Sequence, residues 1–260
     1  MARLAFAAAF GTALLAASVA FATRGTASAS APASRFAPSL AGAAKATAAA
    51  ASYRFRLCAQ IGQGGVPYVL HVEGATGRSA QHVHLKVADM STADGSKLTG
   101  PSADVKTDDA FLYVRSTATR SLTGPLWVRE RLSTLTPDAP ELQTMRQVEP
   151  SWLLRILPRA RGVTRGPDAG VFHARLSYAD PVVRKALAGV EGEIEYRHLR
   201  LTAWVAPNGL LRLLLVTGRT ADGSSHFLLT LALDRYGRPV GVTPPPGGQL
   251  VDFDLSKLRA

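Results

Sequence analysis

The segment from Glu193 to Asp254 constrains the fold most tightly. One apolar run stops at Pro207-Asn208-Gly209, the next at Ala221-Asp222-Gly223-Ser224, and a third at Tyr236-Gly237-Arg238-Pro239, before a short Val240-Gly241-Val242 strand. Asn-Gly and Asp-Gly between apolar runs are strong hairpin signals. The segment therefore reads as an antiparallel meander. Its second strand is unusual. By strict alternation Leu211, Leu213 and Leu215 share one face, and Leu210, Leu214 and Val216 share the other, with only Arg212 polar. An antiparallel strand with one wet face alternates apolar and polar residues. This strand is expected to be covered on both faces, and what covers the second face is the functional question.

Upstream, period-2 patterns predict strands at Ser52–Ile61, Val66–Glu73, Ala80–Met90, Asp109–Arg115 and Trp127–Leu132, with another at Gly170–Tyr178. Two segments are helical instead. Trp152, Leu153, Ile156 and Leu157 recur at helical spacing between Pro150 and Pro158. Asp180-Pro181 opens a second helix, with aspartate at the N-cap and proline at the first helical position, and Gly189 follows. Strands, then one or two helices, then more strands give an α+β domain with the helices on one face of the sheet. A large antiparallel sheet twists and curls. A few short helices need not fill its concave side, which leaves room for an apolar ligand.

The N-terminus reads as a targeting segment. Arg3 is followed by an uncharged run from Leu4 to Ala22, ending in Ala20-Phe21-Ala22, with Ala27-Ser28-Ala29 as a second cleavage candidate. That is the pattern of a secretory signal peptide, and an uncleaved membrane anchor is the alternative. Residues 23–51 are rich in Ala, Ser, Thr and Pro and read as a linker, with a frayed helix from Ala41 to Ala51. Residues 52–260 form the single domain. An exported chain meets an oxidising compartment, yet Cys58 is its one cysteine, so no internal disulfide forms and the core must stabilise the fold. Cys58 itself reads as a small hydrophobe in a strand. The net charge of +11 favours acidic surfaces such as anionic lipid headgroups. Export and the lack of an aromatic-interleaved basic stripe argue against nucleic acid.

Catalytic signatures are missing. There is no G-x-S-x-G, H-E-x-x-H or P-loop, so no enzyme activity and no cofactor are expected. His82 and His84 share a strand face, with His71 on the preceding strand, but a structural zinc site takes four ligands, so no metal is assigned. Asp108, Asp109, Glu191, Glu193 and Glu195 lack a nucleophile to work with and read as solvated charges.

The block Glu149-Pro150-Ser151-Trp152-Leu153-Leu154, the strand Val171–Tyr178 and the run Trp204-Val205-Ala206-Pro207-Asn208-Gly209-Leu210-Leu211-Arg212 also carry a family likeness. So does Tyr236-Gly237-Arg238-Pro239-Val240-Gly241-Val242-Thr243-Pro244-Pro245. With these the chain resembles the LolA/LppX-type lipid-carrier fold, most closely the LppX/LprG-like lipoproteins of mycobacteria and their actinobacterial relatives. The resemblance implies a half-barrel of antiparallel strands over helices, enclosing a hydrophobic cavity for acyl chains. Many of those relatives are acylated on a cysteine just after the signal peptide. Here no cysteine lies near Ala22 or Ala29, which points to a freely secreted carrier or one held by an uncleaved N-terminal helix.

The cavity candidates are Trp152, Leu153, Ile156, Leu210, Leu214, Val216 and Leu228, each of which would serve equally as ordinary core. Arg155, Arg159, Arg161 and Arg165 are candidates for a headgroup or membrane patch, since each basic residue near a charged bilayer adds about 1 kcal/mol. The expected function is an exported, non-enzymatic lipid-binding or lipid-transfer protein. The alternative is an envelope sensor or chaperone that binds a protein partner on the same fold.

Overall fold

The computed structural model describes residues 39–63, 66–77, 81–88, 90–91, 97–98, 102–117, 123–134, 150–191 and 196–252. The expected targeting segment and the carboxylates Glu193 and Glu195 lie outside them. Three helices are described: α1 (Leu40–Ala48), α2 (Ser151–Ile156) and α3 (Pro181–Glu191). The first strands are β1 (Ser52–Gln63), β2 (Val66–Gly77), β3 (Gln81–Ala88) and the two-residue pair β4 (Met90–Ser91) and β5 (Lys97–Leu98). Next come β6 (Ser102–Thr107), β7 (Phe111–Ser116), β8 (Trp127–Arg131), β9 (Arg161–Arg165) and β10 (Val171–Leu176). The meander supplies β11 (Leu199–Val205), β12 (Leu211–Arg219) and β13 (Ser225–Asp234), and β14 (Leu250–Asp252) follows.

Twelve of these strands form one open, curled sheet in the order β14-β8-β7-β6-β3-β2-β1-β13-β12-β11-β10-β9, while β4 and β5 pair separately. All neighbours in the large sheet run antiparallel except β14, which lies parallel to β8. The α+β expectation holds, with that one parallel edge added. β1 closes on β13, at the far end of the sequence, in a ten-residue register from Arg54↔Asp234 to Gln63↔Ser225. The N- and C-terminal halves of the chain are therefore joined through the middle of the sheet.

Register fixes which residues look inward. Phe55, Leu57 and Ala59 on β1 pair with Leu233, Leu231 and Leu229 on β13. Leu231 and Leu229 pair in turn with Leu214 and Val216, which pair with Ala203 and Leu201 on β11. Phe172, Ala174 and Leu176 extend the same face on β10. Every one of these is buried. A fully buried Leu, Val or Phe contributes roughly 1.5–3 kcal/mol, so this face is the main source of stability. The helices cover it with Leu40, Ala43 and Ala44 from α1, Leu153, Leu154 and Ile156 from α2, and Val183 and Leu187 from α3. A second, separate apolar cluster of Leu112 and Val128, with Val105, Val114 and Leu132 packed against it, contains none of the helix residues.

Several expectations are corrected. The frayed helix expected at Ala41–Ala51 is α1, and it is no part of a free linker: its Leu40, Ala43, Ala44 and Thr47 are buried in the core. Ser39 caps it, its Oγ accepting from the Gly42 N–H at 3.0 Å. Strict alternation along β12 fails at a bulge. Trp204 pairs with Leu213 but Val205 pairs with Leu211, so Arg212 is the extra residue and Leu211 turns inward to join Leu214 and Val216. The second face of β12 is not fully covered: Leu213 and Leu215 remain partly exposed. Residues 240–242 form no strand. No sequence pattern marks four of the strands: β5, β6, the edge strand β9 and β14. The start of α3 is as expected, since Asp180 Oδ1 accepts from Val182 N–H at 2.9 Å and from Val183 N–H at 3.4 Å, but the helix runs through Gly189 to Glu191.

Candidate functional site

The inner layer between sheet and helices is the first place to look for an apolar site. Leu153, Ile156, Leu214 and Val216 are all 0% exposed. A side chain that no water-sized sphere can touch borders no water-sized opening, so these four fill the interior in this conformation. Trp152 is half-buried and packs against their cluster from α2. The other two cavity candidates stand apart. Leu210 lies in the Asn208-Gly209 turn, partly exposed, ahead of β12. Leu228 pairs with Thr217 on the outer face of the sheet, because its strand neighbours Phe227 and Leu229 both point inward.

One polar atom is out of place in this layer. Tyr196 is 1% exposed, and its ring meets Phe227 edge-on at 4.8 Å between centroids and Tyr178 at 6.3 Å. Among the described residues its hydroxyl has no hydrogen-bond partner. A buried Tyr hydroxyl ordinarily finds one. Nothing in the sequence flagged Tyr196, since a tyrosine ahead of a strand looks like any other aromatic.

A second polar feature in this layer is structural. Thr47 is 0% exposed and its Oγ1 accepts from the Leu211 N–H at 2.9 Å, while the Tyr236 hydroxyl donates to the Leu211 carbonyl. Burial pushes the Tyr236 phenol well above its ordinary value, so it stays protonated and a donor. Ser52 Oγ donates to the Arg238 carbonyl at 2.5 Å, and Gly237 N–H donates to the Ser52 carbonyl at 3.0 Å. Together these tie α1, the start of β1, the bulge of β12 and the turn after β13.

The histidine pair resolves into an ion-pair network on the outer face. His84 Nδ1 lies 2.6 Å from Asp104 Oδ1, and Arg115 donates to Asp104 Oδ2 at 3.0 Å. Burial alone would raise the Asp104 carboxyl, but the bonds from His84 and Arg115 outweigh it and hold the group below its usual range. His82 is also shifted downward, through burial first and then the nearby Lys106 charge. Asp108 is likewise a structural acid, accepting from the N–H groups of Ala110 at 2.9 Å and Phe111 at 2.7 Å and from the Tyr113 hydroxyl at 3.0 Å. Cys58 is half-buried on the outer side of β1, where burial raises its thiol despite a hydrogen bond with Gln60, leaving little thiolate near neutral pH.

The four arginines proposed as a patch are all exposed, but they do not share one surface. Arg155 sits on α2 and Arg159 on the turn after it. On the edge strand β9, Arg165 pairs with inward-facing Phe172 and lies 5.9 Å over its ring, whereas Arg161 pairs with outward-facing Arg175. Among the described residues no helix is long and apolar enough to cross a membrane.

No protein-family model matches the chain, and no curated protein matches it. Among solved structures it is similar to LprF from Mycobacterium bovis, with 14% identity and a TM-score of 0.46 over 82% of this chain and all of the other. It is also similar to a DUF1329 family protein from Desulfovibrio piger, with 13% identity and a TM-score of 0.26 over 78% of this chain and 92% of the other.

Proposed function

We propose that this is an exported, non-enzymatic lipid-binding protein that takes up acyl chains between the inner face of its sheet and the helices α1, α2 and α3. The observation that carries the reading is the Tyr196 hydroxyl, buried inside a mainly apolar layer and without a hydrogen-bond partner among the described residues. A lipid pocket is lined mainly by apolar groups with a few polar anchors. A lone donor in such a wall suits the ester or acid carbonyl of a lipid, while Leu153, Ile156, Leu214 and Val216 suit its hydrocarbon. These four are closed over in the present conformation, so uptake requires α2 or α3 to lift. Both are short, with six and eleven residues, and short helices owe their stability to the apolar face they bury. Exchanging that contact for acyl-chain contact costs them little.

Two measurements test the reading. Solvent extraction of purified protein followed by mass spectrometry should release lipid, and a fluorescent fatty-acyl probe should bind the extracted protein. Tyr196→Phe separates the hydroxyl from the ring. It should raise the unfolding midpoint, because a buried unsatisfied hydroxyl costs about 1–3 kcal/mol, and at the same time weaken the probe. A variant that is no more stable than wild type, or that binds the probe equally well, removes the anchor from the argument. A lipid-free protein that ignores the probe removes the carrier reading altogether.

A further inference from the structure

The outer face of the sheet treats arginine in two different ways. Toward the middle and the β14 edge, four arginines have acidic partners: Arg54 with Glu73 at 3.9 Å, Arg56 with Asp234 at 3.7 Å, Arg115 with Asp104 at 3.0 Å and Arg129 with Asp252 at 2.7 Å. At the β9 edge they face each other. Arg161 pairs with Arg175, and Arg175 with Arg200, on three neighbouring strands. Strands lie about 4.8 Å apart, and like charges directly opposite are destabilising. Among the described residues none of these three arginines makes an ion pair. Folding alone gives no reason to place three like charges in one cross-strand row.

The same strands are hollowed into an open groove of about 670 Å³, walled by Arg175, Arg200, Arg197, His198, His173 and Thr202, with no carboxylate among the described residues that line it. The His173 ring is fixed at the groove by a contact of 3.1 Å between its Nδ1 and the Thr202 Oγ1. Guanidinium groups carry planar donor forks that match phosphate oxygens two at a time. An oxyanion placed between Arg175 and Arg200 would turn their repulsion into a shared attraction. We propose that this outer groove binds a phosphate-type oxyanion, supplied either by a lipid headgroup or by a free phosphate ester. The site lies on the opposite side of the sheet from Tyr196, so it stands or falls independently of acyl-chain uptake.

The full chain is titrated with inorganic phosphate by calorimetry, and separately cosedimented with phosphatidylcholine vesicles with and without phosphatidylglycerol. The double variant R175Q/R200Q should bind the responding probe about thirtyfold more weakly, at the usual contribution of two basic residues to an anionic surface. The control R184Q/R212Q removes the same charge from exposed positions away from the groove and should stay within about twofold of wild type. Removing the mutual repulsion should leave the R175Q/R200Q midpoint at or above that of wild type. If that variant does not fold, R175K/R200K keeps the charge and loses the forks, and should still bind phosphate more weakly. Binding of inorganic phosphate assigns the free ester, and binding confined to phosphatidylglycerol vesicles assigns the headgroup. The proposal is overturned if neither probe binds, or if the control loses as much affinity as R175Q/R200Q.

Discussion

Thr47→Val removes the hydroxyl that holds the N-terminal helix to the sheet, contacting both the Leu211 N–H and Tyr236. Thr47 is 0% exposed in the last turn of α1, and its Oγ1 accepts from the Leu211 N–H at 2.9 Å. Leu211 sits at the bulge where β12 loses its register with β11. Valine has nearly the shape of threonine and a similar helix propensity, so packing is preserved while the acceptor is deleted. A buried N–H left without a partner costs about 1–3 kcal/mol. Taking about 2 kcal/mol for a domain of roughly 200 residues, at about 2–4 °C per kcal/mol, the midpoint should fall by about 4–8 °C. Thr47→Ser keeps the oxygen and removes one methyl group, at about 1 kcal/mol. Differential scanning calorimetry should therefore rank wild type above serine and serine above valine. A valine variant as stable as wild type, or more stable than the serine variant, would show that the bulge does not depend on Thr47.

Three further outcomes follow from the same structure. Deleting through residue 51 should abolish the cooperative transition seen by calorimetry, because Leu40, Ala43, Ala44 and Thr47 cover the inner face. Gly218→Ala should destabilise by about 1–3 kcal/mol, since the added carbon would fall 2.2 Å from Phe227 Cε1 and 2.9 Å from Leu199 Cδ2; chemical denaturation would measure it. The Asp104 carboxyl is held below its unfolded value, so its contribution is present above the unfolded pKa of about 3.9 and is lost as pH falls through the lower folded value. Asp104→Asn should flatten the acid limb of the stability curve by less than about 1 kcal/mol, the partners being partly exposed, and urea titrations across that range would detect it.

The meander was legible because glycine chemistry announces itself. Gly209, Gly223 and Gly237 all carry positive φ, at 81°, 72° and 72°, in the turns that Asn208, Asp222 and Tyr236 introduce. Asp222 reinforces its turn by accepting from Thr220 Oγ1 at 2.6 Å and from Ser224 N–H at 3.1 Å, which pulls its carboxyl down to about 2. What stayed hidden lacked a local signal. β9 reads Arg-Gly-Val-Thr-Arg and is exposed at every position, so no burial pattern marks it; it exists because β10 offers it an open edge. The alanines of α1 marked it as a helix, but its docking on the sheet was hidden, because period-counting cannot place the sheet it lies against. Tyr196 was invisible for a similar reason, because an orphaned hydroxyl is a property of its surroundings. The bulge at Arg212 matters most among the site residues, since it reverses the face assigned to Leu211.

That bulge also changes what the leucine-rich strand means. Once Arg212 is set aside as the extra residue, Leu211, Leu214 and Val216 are ordinary inward residues matched to Leu229, Leu231 and the helices, and they need no ligand to explain them. The unexplained residues are Leu213 and Leu215, which face outward with Trp204, Leu228 and Ala232 and are only half-covered. Along β11 the outward positions run Arg200, Thr202, Trp204, from the arginine row to this apolar stripe in three steps. If the proposed oxyanion is a lipid headgroup, the tryptophan and two leucines beside it give the order of groups found at a membrane interface, where cations meet the phosphates and tryptophan sits just below them. The doubly apolar strand thus divides its work: its inner leucines hold the fold together, and its outer leucines continue a surface that begins with arginine.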